Sequence, residues 1–346
     1  MKKFILLFCT ILPLVFSSGC ENGNNGGNGT EPPAKPKIED YFPANENTHY
    51  IYEGWGNEYA SYDVYVDYAS DGKIQQRTDN GGTVMATVFE IKDGKLTKIF
   101  SRGEVYYREN FLNSKEGNEE IILMEPLEEG TTWTLADSSV RTITGTSVKV
   151  DTPSGSYEAI EVTTESPYDT IKAYYAKDVG MVKSVFESEG TEVSSTLKKI
   201  EKDVPFKQRL SFYYPNIDDN RIYYREREIS FMTNDVTRNV LAEAYKESAP
   251  EGTGKVFSAN TKINSLYLNK DGMVYIDLSR DFLSEMNAGA GYESMILDSI
   301  AATFGRYYNA QRVILTIDGG LYESGHIALQ KGEYLEANYE DAVEVK

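Results

Sequence analysis

The chain reads as an α+β protein. An antiparallel β sandwich or half-barrel is expected over residues 40–200, and a small α/β domain of order β-β-α-β-β-α-β over residues 207–335. Three observations predict this. Period-two alternation with turn signals at short intervals fills the first region and no long helical period interrupts it. Two helical-period stripes, at 236–245 and 295–307, separate strand-like segments in the second. Between the two regions lies EKDVPFK (201–207), a charged joint with a proline.

The chain opens on MKKFILLFCTILPLVFSSGC, in which Lys2 and Lys3 precede an apolar run from Phe4 to Phe16. That is the layout of a secretory signal peptide. At helical rise the run measures about 20 Å, short of a hydrocarbon core of about 30 Å. Ser17-Ser18-Gly19-Cys20 resembles a bacterial lipobox. The resemblance implies that the Cys20 thiol takes a diacylglyceryl group and becomes the mature N-terminus, although Ser17 stands where leucine is usual. Acyl chains contribute about 0.8 kcal/mol per buried CH₂, so two of them hold a protein on a bilayer without a spanning helix. Residues 21–38 form a linker, with Gly and Asn giving flexibility and Pro32, Pro33 and Pro36 stiffening the distal end. The expected location is the extracytoplasmic face of the cell membrane.

In the 40–200 region Tyr62, Val64, Val66 and Tyr68 are expected on one strand face, with Asp63 and Asp67 on the other. Asp93-Gly94 is a two-residue hairpin signal after the strand at 84–91. Turns are expected at Pro153-Ser154-Gly155 and at 178–180. The 26 tyrosines suit strands with half-wet faces. Trp55 and Trp133 are candidates for a ligand surface, since aromatic faces bind sugars and apolar groups; core or edge packing is the other reading. The segments YFP…YIYEG, PLEEGTTW and YYAKDVGMVKS resemble a β-sheet module of exported Gram-positive lipoproteins, one that implies no defined activity.

In the 207–335 region strands are expected at 209–214 and 222–229 around the turn Asp218-Asp219-Asn220, with Asn234 capping the following helix. Leu266 and Leu268 alternate, Asn269-Lys270-Asp271-Gly272 turns, and Val274, Ile276 and Leu278 resume the alternation. Met295, Ile296, Ile300, Phe304 and Tyr307 recur at helical spacing up to Asn309, and VILTID (313–318) is the next strand. One small sheet covered on one face by two helices is expected, with a further strand near 326–329 and an acidic tail at 336–346. Gly272 and Asp318-Gly319 are marked as structural residues, for the turn and the strand exit.

RLSFYYPNIDDNRIYYREREI, VTRNVLAEAYKESAP, KINSLYLNKDGMVYIDLSRDFL and MILDSIAATFGRYYNAQRVILTIDG follow one another in the order and spacing of the GerMN domain. Residues 208 to about 335 thus resemble the extracytoplasmic module of sporulation and spore-germination lipoproteins. The resemblance implies a fold similar to ring-building modules of secretion systems and a role in protein assembly. The founding member of the family supports the channel complex between mother cell and forespore. This chain carries one such unit where that protein has two, and the β-rich region takes the other place.

Charge and motif content narrow the function further. With 35 Lys and Arg against 54 Asp and Glu the net charge is −19, and losing Lys2 and Lys3 with the leader leaves 33 against 54, or −21. Nucleic acid is therefore not an expected partner, because phosphate binding rests on basic groups. Aligning Gly272 with the glycine of a calcium loop puts Tyr267 and Leu278 at the first and last ligand positions, so that reading fails. Paired acids in a turn, as at Asp218 and Asp219, more often cap than ligate. The histidines are His49 and His326, and no HExxH, CxxC set or GxSxG occurs. No cofactor, metal site or catalytic residue is expected, and the protein reads as a non-enzyme. The expected partners are the membrane, through the lipid on Cys20, and proteins of the envelope. The alternative is a module that binds a glycan, a cell-wall fragment or a small ligand.

Overall fold

In the computed structural model the described residues are 35–114, 119–247 and 249–345. The leader, Cys20 and the linker up to residue 34 lie outside them. Residues Pro36–Lys346 group as one compact unit.

Short hairpin turns build the β-rich part. After helix α1 (Ile38–Tyr41), a first meander comprises β1 (His49–Trp55), β2 (Tyr62–Ser70), β3 (Lys73–Asp79), β4 (Val84–Lys92), β5 (Lys95–Arg102) and β6 (Glu120–Met124). The second comprises β7 (Thr132–Thr134), β8 (Val140–Thr152), β9 (Gly155–Glu165), β10 (Thr170–Ala176), β11 (Gly180–Ser188) and β12 (Thr191–Glu201). β12 pairs with β1, so these twelve described strands make one antiparallel sheet of order β6-β5-β4-β3-β2-β1-β12-β11-β10-β9-β8-β7. Asp93 (φ 51°) and Gly94 (φ 66°) form the β4–β5 turn, both left-handed as a type I′ hairpin requires. The sheet curls until its two ends are joined by side chains. Trp133 Nε1 and Arg141 Nη1 both donate to Ile121 O, at 3.1 and 2.6 Å, and Arg141 Nη2 lies 2.8 Å from Glu120 Oε1. The sheet is therefore nearly closed.

One expected alternation breaks inside β2. The β2–β3 register shifts between Val66 and Tyr68, a bulge that moves the following side chains to the opposite face. Asp67 is buried at 2% exposure instead of facing water with Asp63, and Tyr68 leaves the face that Val64 and Val66 share.

The second part has the expected order: β13 (Phe206–Asn216), β14 (Arg221–Phe231), α2 (Thr237–Lys246), β15 (Ile263–Leu268), β16 (Val274–Leu278), α3 (Asp281–Ser284), α4 (Ala290–Tyr308) and β17 (Arg312–Ile317). Three two-residue strands follow, β18 (Gly320–Leu321), β19 (Leu335–Glu336) and β20 (Val343–Glu344). The single sheet that the pattern suggested is two sheets. One has the order β13-β14-β20, the other β15-β16-β17-β18 with β19 also on β17. α4 packs against both. Its stripe is wider than a one-sided helix needs, because Leu297, Ala301 and Ala302 are buried along with Ile296, Ile300 and Phe304. Near 326–329 the expected strand reduces to one bridge, Glu323 to Ala328. Part of the acidic tail is instead β20, parallel to β14.

Asn234 does not cap α2, whose N-cap is Val236 without a side-chain bond. Asn234 has φ 68°, and its Oδ1 accepts from Ala69 N at 2.9 Å. The residue holds the two parts of the unit together. A continuous core does the same, with Phe100, Val105 and Phe111 packed in one cluster with Phe231, Leu241, Phe304 and Tyr308. No helix among the described residues is long and apolar enough to cross a membrane.

Candidate functional site

The segment between β5 and β6 approaches the second part of the unit, and β3 fixes its shape. Gln75 Nε2 donates to Glu109 O and Gln75 Oε1 accepts from Phe111 N, at 2.9 and 2.7 Å. Arg77 donates from Nη1 to Val105 O and from Nη2 to Tyr107 O, both at 2.8 Å. Alternation along β3 puts Gln75 and Arg77 on the same face. This frame presents Arg108, which is 1% exposed, to the start of α2.

Arg108 uses its whole guanidinium across the junction. Nη1 donates to Tyr68 OH (2.7 Å), Asp235 O (2.5 Å) and Thr237 Oγ1 (3.0 Å); Nη2 donates to Asp67 O (2.7 Å) and Met232 O (3.0 Å). Its carbon Cζ sits 4.1 Å from the Tyr68 ring centroid, and Tyr307 OH accepts from Arg108 N at 2.8 Å. The Asp67 carboxylate lies 3.5 Å from Arg108 Nε and 3.0 Å from Arg77 Nη2. Two guanidiniums thus share one buried carboxylate, an arrangement that persists only where hydrogen bonds replace the lost water. Beside it, burial pushes the Glu109 carboxyl up to about 7, against the opposing pull of Leu268 N–H and Arg102.

The curved sheet also lines an open cavity of about 340 Å³. Its wall includes Phe42, Tyr50, Tyr52, Tyr62, Phe89 and Tyr175. Tyr52 and Tyr62 stack at 4.6 Å, and Tyr52 OH donates to Met181 O at 2.7 Å. Burial pushes the Tyr175 phenol up to about 12 and that of Tyr52 well above its ordinary range, so both stay neutral near pH 7. Lys98, on the same wall, is paired with Glu120. Neutral aromatic faces with a few hydroxyl groups suit the stacking of apolar or sugar surfaces.

The structure separates the two tryptophans. Trp133 is buried at 7% exposure in the β-region core, and Trp55 stands 64% exposed at the end of β1; neither lines the cavity. Gly272 (φ 77°) sits in the β15–β16 turn, where Asp271 Oδ1 accepts from Met273 N at 2.9 Å. After β17, Asp318 and Gly319 have φ 47° and 75°, and Gly319 N donates to Asp277 Oδ1 at 2.8 Å. Asp219 is occupied in its turn, accepting from Arg221 N at 3.2 Å and Tyr223 OH at 2.6 Å. His49 Nδ1 lies 2.9 Å from Glu201 Oε2 across the β1–β12 pair. Asp67, Arg77 and Arg108 were missed by sequence reasoning. The one available signal was charge inside apolar alternation, and it does not tell a solvated face from a buried pair.

Residues 211–323 match the family described as Germane, sporulation and spore germination. Among solved structures, the tandem GerMN domains of the sporulation protein GerM from Bacillus subtilis are similar over 38% of this chain, at 19% identity and a TM-score of 0.31; the chain spans 46% of that structure. A Bacteroides fragilis protein described as exported, with a YmcC-like fold, is similar over 47% of this chain and 99% of its own, at 14% identity and a TM-score of 0.29. A Parabacteroides distasonis protein described as a lipoprotein is similar over 46% of this chain and 98% of its own, at 13% identity and a TM-score of 0.30. No curated protein matches the sequence.

Proposed function

We propose, from the match of residues 211–323 to the GerMN family, that the protein is a non-catalytic envelope lipoprotein acting in protein assembly, in sporulation or germination. The lipid on Cys20 holds it at the extracytoplasmic face. The linker gives it a reach of roughly 20–25 Å from the bilayer. The GerMN domain presents the contact surface, and the β-rich part serves as its platform.

One observation carries this reading: the Arg108 junction. An arginine buried to 1% exposure, with acceptors in both β2 and the segment before α2, ties the GerMN domain to the platform as one body. An adaptor that only tethered the domain would need no such joint. A scaffold that must hold a partner at a set orientation does.

Two measurements test the proposal. Metabolic labelling with a fatty acid should mark the wild-type chain and leave Cys20→Ala unmarked and released from the membrane. Cross-linking in intact envelopes should then recover a protein partner, and truncation before residue 207 should abolish that recovery. A chain that is unlabelled and free in the medium would overturn the tether, and wild-type chain that recovers nothing would overturn the assembly role.

The aromatic cavity favours a second reading, a binding module for a glycan, cell-wall fragment or small ligand. It requires a ligand-induced rise in melting temperature, since binding to the folded state stabilises it. The absence of any shift across a panel of glycans and cell-wall fragments would remove it.

A further inference from the structure

β13 pairs with β14 on one side, and its other edge ends its sheet. The β13–β14 register runs without a shift from Phe206 to Asn216, so backbone groups alternate strictly between ladder and open edge. Which residues point outward is fixed by four bonds. Tyr213 N donates to Thr303 Oγ1 (3.0 Å), Tyr213 O accepts from Tyr245 OH (2.6 Å), and Pro215 O accepts from Gly254 N (2.7 Å). Opposite Tyr213, Tyr224 O accepts from Val345 N at 2.8 Å, on the side away from β13. The odd-numbered residues of β13 therefore direct N–H and C=O outward.

At Tyr213 and Pro215 those groups are taken up by α4, α2 and the segment at Gly254. At Lys207, Arg209 and Ser211 no hydrogen bond among the described residues takes them up. There the edge opens on a groove of about 390 Å³ between β13 and the last turn of α4, with Phe212, Leu241 and Phe304 in its wall. Gln208, also in the wall, donates from Nε2 to Tyr106 O at 2.6 Å, while its Oε1 is buried without a partner. The charge is locally inverted. Arg209 and Arg306 line the groove against one acid, Glu226, in a chain of net charge −19. Arg306 lies over the Tyr339 ring at 5.3 Å, and Arg209 is 3.7 Å from Glu226.

We infer that the open edge of β13 at residues 207–211 accepts an extended, acidic peptide segment of a partner protein as an added strand. Outward backbone groups supply the pairing, the groove receives alternate side chains, and the arginines select acidic ones. A strand laid along these five residues runs about 16 Å. The inference rests on the assembly reading and names the chemistry of its partner.

The test uses ¹⁵N-labelled residues 36–346 and the probe acetyl-Glu-Val-Thr-Val-Glu-Val-amide. Amide signals of Arg209 and Ser211 should shift and gain exchange protection, with a dissociation constant of about 1 mM or tighter. A probe with lysines for the glutamates should bind at least about tenfold weaker, a difference of about one decade in Kd. A probe N-methylated on alternate residues should not bind. Ser211→Pro removes an outward N–H and leaves the ladder intact, so it should stay folded and lose the response. No shift of these amides up to about 10 mM probe would overturn the inference. So would equal binding by Ser211→Pro, or a dimer in sedimentation that protects the same amides without peptide. Recovery of the envelope partner by Ser211→Pro at wild-type level would overturn the edge inference and leave the assembly role standing. Probe binding by a chain that recovers no partner would do the reverse.

Discussion

Replacing Arg108 with methionine should test whether the junction makes one body of the two parts. Methionine keeps much of the buried volume but removes every donor. Asp67 O, Met232 O and Asp235 O each lose a charged hydrogen bond, and a buried acceptor left unpaired costs about 1–3 kcal/mol. Removing one partner of a buried ion pair costs about 3–5 kcal/mol. Asp67 keeps Arg77 at 3.0 Å, so little of the ion-pair loss is realised, and the three acceptors at about 1 kcal/mol each set a total of at least about 3 kcal/mol. That is a large part of the roughly 5–15 kcal/mol that stabilises a domain. Urea unfolding, followed by tryptophan emission for the β-rich part and by far-ultraviolet circular dichroism for the whole, reads the effect. Wild type should give coincident transitions. Arg108→Met should weaken the protein and separate them, as the parts lose their joint. Arg108→Lys should fall between, because an ammonium cannot span acceptors set around a planar fork. Lys198→Met, at a surface pair with Glu53, should change stability by less than about 1 kcal/mol. A loss below about 1 kcal/mol for Arg108→Met would refute the reasoning.

Other outcomes follow from the same contacts. Glu109 is raised from its ordinary 4.5 to about 7, so the folded state keeps a proton that the unfolded chain gives up. Stability is then fully present below about 4.5 and falls as pH climbs to about 7; Glu109→Gln should flatten that slope and gain up to about 3 kcal/mol at pH 8, and unchanged pH-dependent melting would contradict it. Trp133→Ala should cost about 3–5 kcal/mol while Trp55→Ala stays within about 0.5. In Trp55→Phe the remaining Trp133 should emit in the blue and resist iodide, and free quenching would show the sheet end to be open. In α4, a Cβ on Gly305 would meet Ala337 Cβ at 2.3 Å and Ala310 O at 2.8 Å. Gly305→Ala should therefore lower the melting temperature, a loss of about 1–3 kcal/mol despite the better helix former, and a stabilised variant would show that the backbone at Ala310 and Ala337 yields freely.

What the amino-acid sequence by itself determined is local. Asp93-Gly94 demands left-handed backbone wherever it stands, and the 295–307 stripe demands a helix with an apolar face. The motif order from 208 onward was enough to point to the family whose model matches residues 211–323. Tertiary structure decided the rest. A bulge at Asp67 turns a residue that alternation assigns to water into a buried counter-ion. Arg108 finds three of its acceptors 124 to 129 residues away, and Asn234 abandons a helix cap for a strand amide 165 residues distant. Whether the strands around α4 make one sheet or two depends on how much of the helix is covered. The reason is common to all of these. Backbone preference and periodicity act over a few residues, whereas the burial of a charge or of a sheet edge depends on partners that only the folded chain brings near.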